Sequence, residues 1–440
     1  MNEEQSRKQE RMGINMKKVL RVILITVMLA ALAGCGDSSS KSGKKTYTFA
    51  TWAAGTELHE FKQIIDKVNE EANGEYTIEV LSIPSDYYVK ISTKIAARKS
   101  PDFFWLTQEL ISKYADMGAL ADITAQFEAS STLKPDMFYE GVLASAQYNG
   151  SYWGLPWIAN PMMVYYNKTM FEELGIPCPE ATDDWTWAEF IDVCRQFSGK
   201  EYRGNSVYGT VVDGWPNIET FIWAGGGDII GEDGTTIVLD SEDAKRGMGY
   251  LQTIVEEGLS PRYAEVSSLG DNNVWFEKQR VAMYFGGMQD NFEIKVAAMS
   301  EEEQFEIGYA PLPVCDGGGS WSFDWTASTV MAKSLEGDET AYKALEAVTQ
   351  AFFEWKIAPP VKDSLDNVIN INATKENAME TIAYTMEYAR SANYIPEWSD
   401  INDKLWYNLY VQLLSDSNFD YMAEMDEIAA YARELISQRK

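Results

Sequence analysis

Fourteen tryptophans and 24 tyrosines stand out in this chain of 440 residues, beside 67 aspartates and glutamates. Together these side chains suit one kind of chemistry. An aromatic face packs on the apolar C–H face of a pyranose ring. Carboxylates and amides bind ring hydroxyls through paired hydrogen bonds. Trp52, Trp105, Trp157, Trp215, Trp223 and Trp321 lie at strand ends, turns or glycine-flanked loops. Ligand crevices of α/β folds form outside the carboxyl ends of strands, where such residues collect. Core packing is the competing role for each, since tryptophan buries a large area in any fold.

Other chemistries find less support. Hydrolysis of a glycosidic bond needs two carboxyl groups about 5–10 Å apart, and no pair among the 67 acids is singled out. The acids read as a solvated surface. Gly225-Gly226-Gly227 lacks the Lys-Ser/Thr of a phosphate-binding loop and follows a helical run rather than a strand. Gly317-Gly318-Gly319 reads as a flexible loop. Beyond Cys35, the cysteines Cys178, Cys194 and Cys315 are odd in number and fit no zinc spacing. They read as small buried hydrophobes. His59 is the only histidine, which excludes histidine-rich metal centres. No cofactor or metal is expected.

The elements that must position these residues follow from periodicity. Tyr47–Trp52 reads as a strand, then Phe61, Ile64, Ile65 and Val68 form a helical stripe stopped by Asn73-Gly74. Tyr76–Leu81 is a second strand, Tyr88, Ile91 and Ile95 a second helix, and Asp102–Trp105 a third strand. Alternation of this kind implies βαβ units on a largely parallel sheet. The pattern changes near Tyr152, where two apolar runs, 152–158 and 162–166, flank Ala159-Asn160-Pro161. Thr186-Trp187-Ala188-Glu189 has the form of a capping box. Val207–Val212 and Arg280–Phe285 read as strands, Asp240–Glu257 as a long helix, and the stretch after Ser364 as mostly helical.

The N-terminus reads as a targeting segment. Lys17, Lys18 and Arg21 precede an apolar run, Val22–Ala31, which ends in Leu32-Ala33-Gly34-Cys35. Such a run is shorter than the roughly 20 residues a permanent span requires. The tetrapeptide resembles a bacterial lipoprotein processing box, so residues 1–34 are expected to be cleaved and Cys35 lipidated. Residues 35–45 then form a polar tether. Removing residues 1–34 takes away six basic and three acidic side chains, leaving 31 basic against 64 acidic, a net charge of −33. That surface repels nucleic acid and anionic lipid.

Several stretches carry a resemblance to a known family. They include Tyr152-Trp153-Gly154-Leu155-Pro156-Trp157, Val164-Tyr165-Tyr166-Asn167-Lys168 and Phe171–Pro177. Phe276–Met283 and Gly308-Tyr309-Ala310-Pro311-Leu312-Pro313 follow in the family's order. The chain resembles the extracellular solute-binding proteins of carbohydrate ABC importers, the maltose-binding-like group.

The resemblance implies an α/β protein of two lobes, each a mostly parallel sheet flanked by helices, joined by a hinge and closing on a sugar or oligosaccharide. Lobe one would hold residues 46–158 and 311–360, and lobe two residues 161–309 and 361–440. By position in the family pattern, sugar contacts would come from Trp52, Glu57, Trp105, Gln108, Trp157 and Asn160. In lobe two they would come from Trp215, Trp223, Asp228 and Gln289, with Trp321, Asp324 and Trp325 in the returning segment and Trp406 near the end. Gln108 and Asn160 stand where maltose binders carry acids, which points away from maltodextrin. The expected partners are the sugar, the transmembrane subunits of an ABC permease, and the membrane through a lipid anchor. The protein is expected to be a monomer on the outer face of the cell membrane and not an enzyme. A surface glycosidase and an adhesion lipoprotein are the alternatives.

Overall fold

The computed structural model describes residues 44–182 and 184–439. Cys35, the leader at 1–34 and most of the tether therefore lie outside the described residues. Residues 45–440 form one unit by backbone contacts.

Strand β1 (Lys45–Thr51) pairs in parallel with β2 (Tyr76–Ser82) and with β3 (Phe103–Thr107). The helix Gly55–Glu71 between β1 and β2 turns Phe61, Ile65 and Val68 inward. The helix Tyr87–Ala96 between β2 and β3 turns in Tyr87 and Ile91. The two helices cover opposite faces of the sheet. Phe49, Phe103 and Trp105 join one core with Phe61, whereas Ala50, Phe104 and Leu106 join the other with Ile91. Every residue of β3 is consequently buried, as for strands covered on both faces.

Strands β4 (Gly154–Pro161) and β5 (Met163–Asn167) follow each other with one residue between them. They belong to different sheets. β5 lies between β6 (Met283–Gly286) and β7 (Ile307–Ala310), antiparallel to both. The long β8 (Ser322–Met331) returns to the first sheet between β3 and β4, antiparallel to each. The short β9 (Ala389–Arg390) runs beside the first two residues of β8. Each sheet anchors its own lobe, and the chain crosses between them at Pro161–Met163 and at the start of β8.

Three expectations need correction. The second lobe's sheet is antiparallel rather than mostly parallel. The run at 207–212 forms no strand of it: Tyr208 makes one parallel bridge to Val281, and the Gly209 carbonyl accepts from the Met283 N–H. Residues 311–321 also stay with lobe two. Leu312 and Trp321 pack in its core, Val314 bridges Thr186, and Asp316 accepts hydrogen bonds from Arg246 and Tyr250. The return to lobe one begins in β8.

The capping box at Thr186 and Glu189 is formed in both directions. The glycine triplet has a packing role. A Cβ at Gly225 would overlap the backbone of Asp243 and Gly247, and one at Gly227 would overlap Ala244. The helices Ile218–Ala224 and Glu242–Glu256 thus approach at backbone distance, which only glycine permits. Cys194 is buried, Cys178 and Cys315 are half-buried, and all three are free.

Candidate functional site

The crossing strands set the floor of a crevice. Trp325 of β8 pairs in register with Asn160 of β4. Its half-buried indole packs against the cores of both lobes. The Asn160 N–H donates to Oδ1 of Asp324 at 2.7 Å, and Asn160 Oδ1 accepts from the Met288 N–H at 2.8 Å. Asn160 thereby ties the crossing to the loop after β6. Asp324 is fully buried, and its Oδ2 has no partner among the described residues. Burial pushes its carboxyl up to about 8, against the opposing pull of the Asn160 N–H. Gln289, next to Met288, is exposed.

On lobe one, β1 ends where Trp52 projects half-buried. Its ring lies 4.7 Å from Trp105 and 5.4 Å from Tyr87. Trp105 in turn stacks on Trp157 at 4.5 Å and 19°. Trp105 and Trp157 are buried in the lobe-one core, and their indole N–H groups have no partner among the described residues. The expectation that Trp105 faces the crevice is therefore corrected: helices cover both faces of β3, and Trp105 backs Trp52 from within. Glu57 is ion-paired with Lys356 at 2.8 Å, and Lys356 sits over the Trp355 ring. After β3, Gln108 accepts from the Thr326 N–H at 3.2 Å and the Ser391 hydroxyl at 3.3 Å. It donates to the Tyr394 hydroxyl of lobe two at 3.3 Å.

On lobe two, Trp215 and Trp406 are half-buried. The Trp215 indole N–H donates to the Phe285 carbonyl at 2.5 Å, fixing its loop to β6. Trp223 and Trp321 are buried and meet edge to face at 5.6 Å. Trp223, expected to contact sugar, is fully buried, and the Arg390 guanidinium covers its ring at 4.1 Å. Arg390 also pairs with Asp228 at 2.5 Å, and Asp228 accepts from the Trp223 indole at 3.1 Å. Of the aromatic residues singled out, the structure thus leaves Trp52, Trp215, Trp325 and Trp406 partly open.

Two acids near the crossing went unnoticed in an acid-rich sequence. Glu219 is buried and raised to about 7, first by burial and also by the Asp228 and Glu109 carboxylates. Glu109 is raised by burial as well, while the Thr107 hydroxyl donates to it at 2.5 Å. Glu109 belongs to lobe one and Glu219 to lobe two, so carboxyls from both sides face each other's field. Adjacency to Gln108 was the one signal available for Glu109. A polar cavity of about 270 Å³ opens between the lobes, lined by Gln108, Ser112, Ser145, Asp233, Asn393 and Tyr394. A larger cavity, about 560 Å³, lies away from the crossing, between the helices Gly55–Glu71 and Glu339–Ala351. Among the described residues no group of acids, histidine and cysteines is arranged to hold a metal.

The described residues form a two-lobed α/β body with half-buried tryptophans and amides at its crossing, and no described helix is long and apolar enough to cross a membrane. Residues 63–381 match the bacterial extracellular solute-binding proteins, and the chain belongs to that family. It is similar to the multiple sugar-binding protein of Streptococcus mutans, 22% identical over 330 residues, covering 71% of this chain and 74% of that one. Among solved structures it resembles the sugar-binding protein MalE of Xanthomonas citri, with a TM-score of 0.74 at 20% identity, covering 90% of this chain and 98% of that one. An ABC substrate-binding protein of Listeria monocytogenes, solved with cycloalternan, matches at a TM-score of 0.70 and 19% identity, covering 90% and 99%. These likenesses establish the two-lobed fold.

Proposed function

We propose that the protein captures a sugar or oligosaccharide between its lobes and delivers it to an ABC importer. The observation that carries this reading is the set of half-buried tryptophans on the two lobes: Trp52 from lobe one, Trp215 and Trp406 from lobe two, and Trp325, at the crossing, packed against both cores. Aromatic faces supply the stacking surface. Gln108, Asn160 and the carboxyls of Glu109 and Glu219 supply hydrogen-bonding groups for hydroxyls. Names of similar proteins, a multiple sugar-binding protein and a complex with cycloalternan, agree with a carbohydrate ligand. The protein acts here as a binder and not a hydrolase, and works as a monomer.

The cationic groups near the site each have a carboxylate partner, Lys356 with Glu57 and Arg390 with Asp228. A neutral sugar fits such a site better than an anionic one. Cys35 carries the lipid that holds the protein at the outer face of the membrane, next to the permease. The test is a thermal-shift screen against mono- and oligosaccharides, followed by product analysis. The reading expects a raised melting temperature with at least one saccharide, recovered intact. Recovery of cleaved products would favour a glycosidase instead.

A further inference from the structure

We infer that Gly214 is a positioning residue: with the π-helical turn Leu405–Tyr410, it locks the Trp406 indole in the orientation that stacks on the bound sugar. The inference rests on the sugar-binding reading and adds to it the device that orients one wall of the site.

Between the α-helical segments Trp398–Lys404 and Val411–Ser415, the chain makes a π-helical turn at Leu405–Tyr410. Such turns are rare, and they recur at functional sites because they re-aim side chains that a regular helix would stagger differently. Here the turn presents Trp406 half-buried, while its neighbour Tyr407 is 63% exposed. Gly214 lies against the indole. A Cβ at Gly214 would overlap Cη2 of Trp406 and stand 2.5 Å from Cζ3 and 3.2 Å from Cζ2. The six-membered ring therefore rests on bare backbone, and no side chain fits between them. The φ of Gly214 is +119°, a conformation that side chains with a Cβ rarely adopt.

A second contact braces the ring. Tyr410 meets Trp406 edge to face, with centroids 5.8 Å apart and planes at 89°. The Tyr410 hydroxyl donates to the carbonyl of Pro216. The loop at 214–216 and the π-helical turn are thus joined at two points, with the indole between them. An indole held in this way loses little rotamer freedom when ligand arrives, which is how preorganisation raises affinity. Trp215 belongs to the same loop and is tied to β6. Movement of the loop would therefore disturb both tryptophans together.

The test is a double-mutant cycle on the full chain with Gly214→Ala and Trp406→Ala, read by calorimetric titration with the saccharide that binds the wild type best. Each single change is expected to weaken binding at least tenfold. In the Trp406→Ala background, Gly214→Ala is expected to weaken binding clearly less than in the wild type, because the ring contact is gone and only the backbone strain at φ +119°, acting through Trp215, remains. Equal weakening in both backgrounds would overturn the positioning role. A second, ligand-free readout uses 5-fluorotryptophan labelling and the Trp406 fluorine resonance. Gly214→Ala should shift and broaden that line, and an unchanged line would overturn the inference even where sugar binding stands. Should Gly214→Ala fail to fold, Tyr410→Phe keeps the ring and removes the tie to Pro216. It should broaden the same line and weaken binding a few-fold, and no effect on either would count against the brace.

Discussion

Trp52 and Trp406 differ physically from Trp105, because each leaves part of its ring uncovered while Trp105 is enclosed by Phe49, Phe61 and Trp157. Truncating a buried indole leaves a cavity, whereas truncating an open one mainly removes the surface that a ligand would cover. Trp52→Ala or Trp406→Ala should therefore cost about 2 kcal/mol in binding, roughly thirtyfold, with a smaller loss of stability. Trp105→Ala should instead cost about 3–5 kcal/mol of stability. Titration and chemical denaturation of the same variants read the two quantities. Nothing in the sequence around Trp105 separates these roles. β3 is covered on both faces, so its run of apolar residues has no alternation that would mark one side as open. The same holds for Glu219, one acid among 67 whose burial depends on distant elements.

Asp324 offers a prediction in pH. Its folded-state value of about 8 lies above the ordinary carboxylate range, so the folded protein holds a proton there that the unfolded chain releases. Its contribution to stability falls as pH rises from about 4 towards 8 and is constant beyond. Asp324→Asn keeps an acceptor for the Asn160 N–H and cannot ionise. Relative to the wild type it should gain stability steadily over that window. Glu219 bends the wild-type curve in the same direction, so the difference between the two proteins isolates Asp324. A difference that stays flat with pH would mean that Asp324 is not protonated in the fold.

At the level of elements, local signals were readable wherever neighbours in sequence are neighbours in space. The alternation of β1, β2 and β3 with two helices is of this kind, and so is the capping box at Thr186. The second sheet was not readable, because β5 pairs with strands more than a hundred residues away. The π-helical turn was equally hidden, since its sequence differs little from that of an ordinary amphipathic helix. Glycine spacing had a meaning that only packing reveals. A Cβ at Gly247 would overlap the Phe221 carbonyl, and Gly225 faces it from the other helix. Gly247→Ala should destabilise by about 1–3 kcal/mol in chemical denaturation, as overpacking does. A neutral effect would mean that the two helices can part without cost.

For the whole molecule, charge, anchoring and closure belong together. An acidic chain at −30 is repelled by an anionic membrane surface, and the proposed lipid on Cys35 would hold it there against that repulsion. A Cys35→Ala variant should leave the membrane fraction, and unchanged fractionation would remove the lipid from this account. Ligand that contacts both lobes favours the state in which they are close. Scattering with saturating sugar should give a smaller radius of gyration than without. The most direct measurement is calorimetric titration of neutral saccharides into the wild type and into a Trp52→Ala/Trp406→Ala double variant. Sugar capture between the lobes predicts one-to-one binding to the wild type that is lost, or weakened at least a hundredfold, in the variant. Binding untouched by both substitutions, or no binding to any saccharide, would contradict it.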